Sequence, residues 1–207
     1  MRIFLDTAKA DEVKKWLPVI EGVTTNPAIL EKDKGDVVEI AKLIDPKIIS
    51  IEAGGNFIDD ARYWHGALTN VAIKIPLLKP DGGNNIDLIY ELALEGVLIN
   101  CTALFSLSQI ILAEKAGAAF VSLFAGRVDD EGGDFAAMIR DCSHYLYHSD
   151  TELIVGSIRT VGNALEAIRS GADIVTIPPP ILEKMVNHQY SLKTVKEFED
   201  SYARISK

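Results

Sequence analysis

The sequence predicts an α/β fold, a single-domain (β/α)8 TIM barrel with an extra C-terminal helix. Short apolar segments alternate with amphipathic segments along the whole chain, which indicates parallel strands joined by crossover helices. Eight apolar segments occur, and eight is the number of strands that closes into a barrel. No Pro/Gly-rich linker or change in composition divides the 207 residues, so we expect one domain over residues 1–207. An open, doubly wound sheet is the alternative.

The predicted strands are short and rich in Val, Ile and Leu, as expected of strands buried on both faces. They are Arg2–Asp6, Gly22–Thr25, Lys47–Glu52, Val71–Ile75, Leu98–Cys101, Phe120–Leu123, Leu153–Val155 and Ile174–Ile177. Helical periodicity predicts the elements between and after them. The predicted helices are Lys9–Leu17, Asp36–Ile44, Phe57–Leu68, Ile86–Glu95, Leu107–Ala116, Phe135–Tyr147, Thr160–Ser170, Pro179–Val186 and Thr194–Ile205. The polar segment Asn187–Tyr190 is interpreted as a hinge that lets the last helix pack on a neighbouring subunit.

Composition and charge exclude several classes of function. The net charge of −9 argues against a nucleic-acid partner or an anionic membrane surface. No apolar stretch is long enough to span a bilayer, and the chain opens directly into the first strand without a signal-peptide pattern. The two cysteines, Cys101 and Cys142, are not clustered. We therefore expect a cytoplasmic protein without a metal site.

Lys74 is the most informative residue, because it lies within the apolar run Val71–Pro76. An isolated ammonium group is penalised in a low-dielectric interior, and loss of its proton relieves the penalty. A neutral amine is a nucleophile that forms Schiff bases with carbonyl compounds. The alternative is a lysine at a strand end whose side chain extends into water.

Polar side chains recur at the carboxyl ends of the predicted strands, where the catalytic groups of a barrel lie. A chance distribution would scatter them, so the pattern favours a catalytic role for Lys74. In chain order these residues are Asp6, the Thr24–Pro27 segment with Thr25 and Asn26, Glu52, Lys74, Asn100, Thr102, Ser122, Arg127, Ser157 and Arg159; the apolar Phe124 lies between Ser122 and Arg127.

The two carboxylates near Lys74 each have two interpretations. Glu52, on the adjacent strand, could move protons directly or through a water held by Thr102, or it could form a structural salt bridge with Lys74. Asp6 could position or deprotonate a substrate hydroxyl. It could equally cap the following helix, a role for which Thr7 competes.

Arg127 and Arg159 follow two late strands, on the side of a barrel where phosphate sites often lie. Either arginine alone is typical of a surface ion pair, but two at equivalent positions favour an anionic substrate. Asn26 precedes a proline and is equally typical of a turn or a helix start. The glycine-rich segments 81–85 and 131–134 lack the spacing of a phosphate-binding loop and are interpreted as turns.

With these residues in view, the chain resembles the transaldolase family in its short form. The resemblance covers nearly the whole chain, and several motifs occur in the same order. These motifs are GVTTNP (Gly22–Pro27), IKIP (Ile73–Pro76), NCTALFS (Asn100–Ser106), AGRVDD (Ala125–Asp130) and GSIR (Gly156–Arg159).

The resemblance implies a role for each of the predicted residues. Lys74 would form the Schiff base, Glu52 would act as acid and base through a water held by Thr102, and Asp6 would handle the proton of the donor's C4 hydroxyl. The implied substrate-binding residues are Asn26, Asn100 and Ser122 for the three-carbon unit, Arg127, Ser157 and Arg159 for the phosphate, and Thr25 and Phe124 beside them.

The implied reaction belongs to the pentose phosphate pathway and uses no metal or organic cofactor. A dihydroxyacetone unit would move from fructose 6-phosphate or sedoheptulose 7-phosphate to an aldose phosphate. Short members of the family assemble as pentamers or decamers, so we expect a homo-oligomer in which the C-terminal helix reaches a neighbour.

Two residues favour the transferase branch over the related fructose 6-phosphate aldolases, which release dihydroxyacetone. The aldolases resemble this chain but carry glutamine at position 52 and tyrosine at position 124, where this chain has Glu52 and Phe124. A phenol could organise a water that protonates the enamine, whereas a phenyl ring cannot. An aldolase, or a catalytically silent barrel that binds sugar phosphates, remains the alternative.

Overall fold

The computed structural model describes residues 1–205, in which eight parallel strands close into a barrel. The strands are β1 (Arg2–Asp6), β2 (Gly22–Thr24), β3 (Ile48–Glu52), β4 (Val71–Pro76), β5 (Ile99–Leu104), β6 (Phe120–Leu123), β7 (Glu152–Val155) and β8 (Ile174–Ile177). The predicted barrel is confirmed, and the open sheet is excluded because β1 pairs with β8.

The described helices surround this barrel and extend beyond it at the C-terminus. They are α1 (Ala10–Trp16), α2 (Pro27–Asp33), α3 (Val37–Ile44), α4 (Phe57–Ala67), α5 (Ile86–Leu94), α6 (Leu107–Lys115), α7 (Ala125–Asp130), α8 (Phe135–Leu146), α9 (Val161–Arg169), α10 (Pro179–Val186) and α11 (Gln189–Ile205). No helix within residues 1–205 combines the length and the apolar character that a membrane crossing requires.

Besides shifts of one to three residues in element bounds, two helices and the start of the last helix differ from the prediction. Helices α2 and α7 were not expected, because six or seven residues are too few to display a helical period. Helix α11 begins at Gln189 instead of Thr194, since no proline or glycine interrupts the polar segment, and the amide of Leu192 donates to the carbonyl of His188. The hinge predicted over residues 187–190 is therefore reduced to Asn187 and His188.

The two glycine-rich segments form turns, as predicted. The amide of Gly83 donates to Oδ1 of Asp81 within a turn that Leu78 and Asn84 close as an antiparallel bridge. Gly132, with φ +77°, follows the end of α7 and supplies a left-handed backbone conformation that other residues adopt with strain.

The barrel interior is apolar toward the amino ends of the strands, here called its lower part, and polar toward their carboxyl ends. A separate cluster of buried side chains fills the lower part, and its members are Phe4, Ala72, Phe120, Ile154 and Ile174. Alternate residues of a strand share a face, so the residue two positions further along each strand also points inward. Those residues are Asp6, Lys74, Ser122, Gly156 and Thr176, and all of them line one cavity. The apolar cluster is therefore the floor beneath a polar site.

Gly22 makes room for this floor. A Cβ at position 22 would lie 2.6 Å from Cζ of Phe4 and 2.8 Å from the carbonyl oxygen of Ile48. The missing side chain on β2 thus lets the phenyl ring of Phe4 fill the barrel interior.

Candidate active site

A cavity of about 290 Å³ lies among the carboxyl ends of the strands. Its lining includes most of the predicted site residues, namely Asp6, Asn26, Lys74, Ser122, Phe124, Arg127 and Ser157. Three cationic side chains, Lys32, Lys74 and Arg127, face this cavity against the single carboxylate of Asp6. In a chain with a net charge of −9, this local excess of positive charge suits an anionic ligand.

Lys74 is a buried amine within the cavity wall. Only 5% of its surface is exposed, so the alternative of a side chain that extends into water is wrong. Its Nζ donates a 2.8 Å hydrogen bond to the carbonyl of Thr25 and lies 3.5 Å from Oε2 of Glu52. Glu52 and Lys74 are register partners on β3 and β4, which brings the carboxylate beside the amine. The salt bridge foreseen as an alternative is thus present, at a separation longer than a normal hydrogen bond.

Thr102 lies two positions beyond Asn100, the register partner of Lys74, and has an unpartnered hydroxyl. Its Oγ1 is buried and makes no hydrogen bond to any residue between positions 1 and 205. Thr102 pairs with Pro76, the residue that follows Ile75 at the end of the Lys74 strand. A bulge then interrupts β5 between Cys101 and Leu104, where Ala103 adopts φ +57°. Bulges recur beside active sites because they redirect side chains.

A hydrogen-bonded chain of polar side chains crosses the barrel interior beside Lys74. Nδ2 of Asn100 donates to Oγ of Ser50 at 3.0 Å, and Oγ of Ser122 donates to Oδ1 of Asn100 at 2.7 Å. All three side chains are buried. The hydroxyl of Thr25 donates to the carbonyl of Ser50, which ties the loop that carries Asn26 to the same layer. These bonds fix the polar groups in defined orientations.

Asp6 faces the cavity from β1 and does not cap α1. Oδ1 of Asp6 accepts a 2.7 Å hydrogen bond from the hydroxyl of Thr24. Helix α1 begins later than expected, with Lys9 at the cap position, where the Lys9 amide donates to Oγ1 of Thr7. Burial raises the pKa of Asp6 above its usual value, although the hydrogen bond from Thr24 and the charge of Lys74 oppose the rise. An acid of this kind is able to exchange a proton with a substrate.

Asn26 caps a helix and faces the cavity. Its side chain accepts a 2.9 Å hydrogen bond from the amide of Ile29 and thereby caps α2, with Pro27 at the first helical position. It also lines the cavity.

Thr24, Thr176 and Lys32 also line the cavity, although no function was predicted for them from the sequence. Thr176 is the inward-facing polar residue of β8, the only predicted strand to which no polar residue was assigned. Its position two residues after the interior Ile174 is the signal that could have identified it. Lys32 lies in α2, a helix that was not predicted, so the sequence did not place it near the cavity.

Phe124 and Arg127 form one side of the cavity. The guanidinium carbon of Arg127 lies 5.3 Å from the ring centroid of Phe124, a cation–π contact that orients the arginine. Phe105 packs edge-on against the ring of Phe124, with 5.7 Å between centroids. The aromatic pair therefore holds Arg127 at the cavity wall.

Ser157 and Arg159 differ in their relation to the cavity. Ser157 lines it and adopts φ +63°, a strained conformation for a serine that recurs at functional sites. Arg159 does not line the cavity and instead forms an ion pair with Asp130, at the end of α7. Both partners of that pair are about half exposed, so the interaction is open to exchange with another anion.

Cys101 is an unsuitable nucleophile despite its place between Asn100 and Thr102. Its side chain is fully buried among the apolar residues between strands and helices. Burial raises the pKa of the thiol to about 12, so the reactive thiolate is not formed near neutral pH. The buried amine of Lys74, which lines the cavity, is therefore the candidate nucleophile.

The sequence is similar to proteins of one family over most of its length. The family model described as Transaldolase/Fructose-6-phosphate aldolase matches residues 34–207. A probable transaldolase of Symbiobacterium thermophilum is 36% identical over 211 residues, with 96% of this chain and 95% of that protein aligned. A probable transaldolase of Nitrosopumilus maritimus is 34% identical, with 99% of this chain and 96% of that protein aligned. A probable transaldolase of Thermodesulfovibrio yellowstonii is 37% identical, and both chains are aligned over their full length.

Solved structures of low sequence identity share the barrel. A mandelate oxidase variant superimposes with a TM-score of 0.61 at 14% identity, covering 86% of this chain and 64% of the oxidase. A lactate oxidase described from Pediococcus acidilactici superimposes with a TM-score of 0.60 at 13% identity, covering 86% of this chain and 62% of that oxidase. Both similarities concern the fold alone. The family model and the relatives, by contrast, extend over most of the sequence, and the chain belongs to the transaldolase and fructose-6-phosphate aldolase family of enzymes.

Proposed function

We propose that this protein is a cytoplasmic transaldolase that moves a dihydroxyacetone unit between sugar phosphates of the pentose phosphate pathway. The observation that carries the proposal is the buried amine of Lys74, which lines the cavity 3.5 Å from the carboxylate of Glu52. Metal and organic cofactors have no part in the mechanism that we propose.

The first half of the reaction forms and cleaves a Schiff base. Lys74 gives up a proton to Glu52, and its nitrogen attacks the C2 carbonyl of the donor ketose to give a carbinolamine. Glu52 protonates the C2 hydroxyl through a water held by Thr102, and water leaves as the iminium forms. Asp6 then takes the proton of the C4 hydroxyl, the C3–C4 bond breaks, and the electron pair moves into the iminium to give an enamine.

The second half of the reaction runs the same steps in reverse with a different aldehyde. The shortened aldose phosphate leaves, and an acceptor aldose phosphate binds in its place. The enamine carbon attacks the acceptor's carbonyl carbon, whose oxygen takes the proton from Asp6. Water then releases the product ketose from Lys74. Asn26, Asn100 and Ser122 hold the three-carbon unit throughout, so the intermediate stays in place between the two sugars.

The phosphate would be bound by Arg127 of α7 and by Ser157 and Arg159, which follow β7. Arg127 and Ser157 line the cavity, and Arg159 reaches the phosphate by exchanging its ion pair with Asp130 for the ligand's oxygens. Arginine is suited to this role because its planar donors match phosphate oxygens in pairs.

The experiment that tests the function measures glyceraldehyde 3-phosphate formed from fructose 6-phosphate, with and without erythrose 4-phosphate. Turnover that depends on the acceptor supports a transaldolase. Equal turnover without the acceptor would make the protein an aldolase. Absence of product in both assays, together with binding of fructose 6-phosphate, would identify a silent sugar-phosphate-binding barrel.

Replacement of Phe124 by tyrosine is expected to increase the release of dihydroxyacetone in the absence of acceptor. A phenol facing the cavity could organise a water that protonates the enamine, which the phenyl ring of Phe124 cannot do. The measurement is dihydroxyacetone formed from fructose 6-phosphate without an aldehyde. Phe105→Tyr is the matched control, because Phe105 packs against Phe124 but does not line the cavity. An unchanged release rate in Phe124→Tyr would contradict this account of position 124.

Replacement of Gly126 by alanine is expected to weaken the binding of phosphorylated substrates and to destabilise the fold. A Cβ at Gly126 would lie 1.9 Å from the carbonyl oxygen of Ser157, so α7 and the Ser157 loop must move apart. We expect a loss of roughly 1–3 kcal/mol in the free energy of unfolding and an increased KM for fructose 6-phosphate. Gly66→Ala, at a helical position where a Cβ meets no atom within 4 Å, is the control. An unchanged KM would show that this contact does not support phosphate binding.

The last helix supports assembly into a ring, a pentamer or decamer. None of the residues of α11 is buried, yet apolar side chains recur along one of its faces at helical spacing. These residues are Leu192, Val195, Phe198, Tyr202 and Ile205. An apolar stripe of this kind is stable in water when another copy of the chain covers it.

Phe198→Glu is therefore expected to dissociate the oligomer into monomers. The charge would be placed in the middle of the apolar stripe, where burial against a neighbouring subunit is strongly penalised. Light scattering coupled to size exclusion measures the molar mass, which should fall to that of the 22.6 kDa chain. Lys196→Glu, on the polar side of the same helix, should leave the mass unchanged. A wild-type protein that already behaves as a monomer would refute the ring.

A further inference from the structure

Two threonine hydroxyls connect Asp6 to the last strand of the barrel. Oγ1 of Thr24, on β2, donates to Oδ1 of Asp6 at 2.7 Å. The same oxygen lies 2.5 Å from Oγ1 of Thr176, on β8. Strand β1, which carries Asp6, lies between these two strands in the barrel.

The direction of the two hydrogen bonds follows from the number of protons. A threonine hydroxyl has one proton to donate and two lone pairs to accept with. Thr24 gives its proton to the carboxylate of Asp6, so the short contact with Thr176 requires that Thr176 donate to Thr24. The chain therefore runs from Thr176 through Thr24 to Asp6.

Both hydroxyls are buried at the edge of the cavity. Thr24 is 3% exposed and Thr176 is 6% exposed, and both line the same cavity as Asp6. Within residues 1–205, Oδ1 of Asp6 accepts from Thr24, while Oδ2 accepts no hydrogen bond. The second carboxylate oxygen is thus the one available to a ligand.

The charged groups near Asp6 come from other elements. Lys74 on β4 favours the carboxylate form, and Asp33 at the end of α2 disfavours it. Lys32 and Arg127 line the same cavity. The strands adjacent to β1 contribute the uncharged hydroxyls of Thr24 and Thr176, which act on Asp6 through hydrogen bonds.

We propose that Thr24 and Thr176 are positioning residues for Asp6, fixing Oδ1 and leaving Oδ2 to receive the proton of the substrate's C4 hydroxyl. The role rests on the proposed function. A donor that is itself hydrogen-bonded is polarised and becomes a stronger donor, so Thr176 strengthens the bond from Thr24. Loss of either hydroxyl therefore destabilises the carboxylate form of Asp6, and the loss of Thr24 has the larger effect.

The first test observes Asp6 in the substrate-free protein. Carbon-13 NMR follows the carboxyl carbon of Asp6 through a pH titration, with Asp6→Asn to assign the signal. Thr24→Val is expected to move the titration midpoint upward by about 1–2 pH units, because a hydrogen bond to a charged group is lost. Thr176→Val should move it upward by less. Thr24→Ser and Thr176→Ser keep the hydroxyls and should restore the wild-type midpoint.

Thr151→Val is the matched control. Thr151 is also a buried threonine, but its hydroxyl donates to the carbonyl of Ala118 at 2.7 Å, just before β7 begins. Its replacement should leave the titration of Asp6 unchanged. Midpoints in Thr24→Val and Thr176→Val that equal the wild-type value would overturn the proposal.

The second test uses the pH dependence of kcat/KM for transfer from fructose 6-phosphate to erythrose 4-phosphate. The acidic limb of the profile should shift with the midpoint of Asp6 in each variant, in the same order. Shifted midpoints without a shifted acidic limb would overturn the role of these hydroxyls in the reaction. A wild-type protein without turnover would instead refute the proposed function, and the NMR titration would still report whether the hydroxyls act on Asp6.

Discussion

Lys74→Met is expected to abolish turnover and covalent capture of the substrate while the barrel stays folded. Methionine has a similar length and volume but no amine, so no Schiff base can form. Removal of a catalytic nucleophile lowers turnover by roughly 10⁴–10⁶-fold in other enzymes. Borohydride reduces an iminium to a stable amine, so mass spectrometry of the wild-type protein treated with fructose 6-phosphate should detect a sugar adduct on Lys74, and Lys74→Met should carry none.

Two control variants distinguish the loss of the reactive amine from the loss of a positive charge and from a loss of stability. Lys74→Arg keeps a cation beside Glu52 but cannot form the iminium, so it should be as inactive as Lys74→Met. Lys47→Met tests a structural lysine, whose Nζ donates 2.8 Å hydrogen bonds to the carbonyls of Leu17 and Ile20. It should lose stability but still form the adduct. An adduct in Lys74→Met would exclude Lys74 as the nucleophile.

Asp6→Asn is expected to lose activity and to gain stability near neutral pH. The amide cannot accept the proton of the C4 hydroxyl, and loss of a general base lowers turnover by about 10²–10⁴-fold. Asn retains an oxygen that accepts from Thr24, so the local geometry is preserved. The variant no longer buries a carboxylate, which removes the desolvation that raises the pKa of Asp6 in the folded protein.

The sign of the stability effect follows from the raised pKa. A carboxyl group of an unfolded chain titrates near 3.9, and the folded protein binds the proton of Asp6 more tightly. Its contribution to stability is therefore largest at low pH and is lost as the pH rises through the folded pKa. Asp6→Asn should melt at a higher temperature than the wild type at pH 7, and the difference should shrink toward pH 4.

Asp11→Asn is the control for this comparison, because the side chain of Asp11 is fully exposed. Its melting temperature should match that of the wild type at both pH values. Equal melting temperatures of Asp6→Asn and the wild type at pH 7 would contradict the inferred desolvation of Asp6.

The barrel was predictable because its strands are uninterrupted apolar runs separated by amphipathic helices. The position of Lys74 within such a run was equally visible, and its burial beside Glu52 follows from the register of β3 and β4. Helices α2 and α7 were missed because each is about two turns long. Asn26 followed by proline was nevertheless a usable signal for the start of α2.

The contacts that the sequence did not reveal depend on distant parts of the chain. Threonine is common in strands, so Thr176 in β8 did not stand out from the residues that only pack. Its contact with Thr24 exists because the first and last strands pair when the barrel closes. The ion pair that draws Arg159 to Asp130 likewise depends on α7, an element that the periodicity did not predict.

Closure of the barrel between β1 and β8 also determines when the site can form during synthesis. Thr24 and Thr176 are 152 residues apart, so a nascent chain contains the first long before the second. At a translation rate of about 5–20 residues per second, the ribosome reaches β8 on the order of ten seconds after β2. In that interval β1 has an open edge, which is prone to pairing with other chains. The cavity that joins Thr24 to Thr176 is therefore complete only after β8 has emerged and paired with β1.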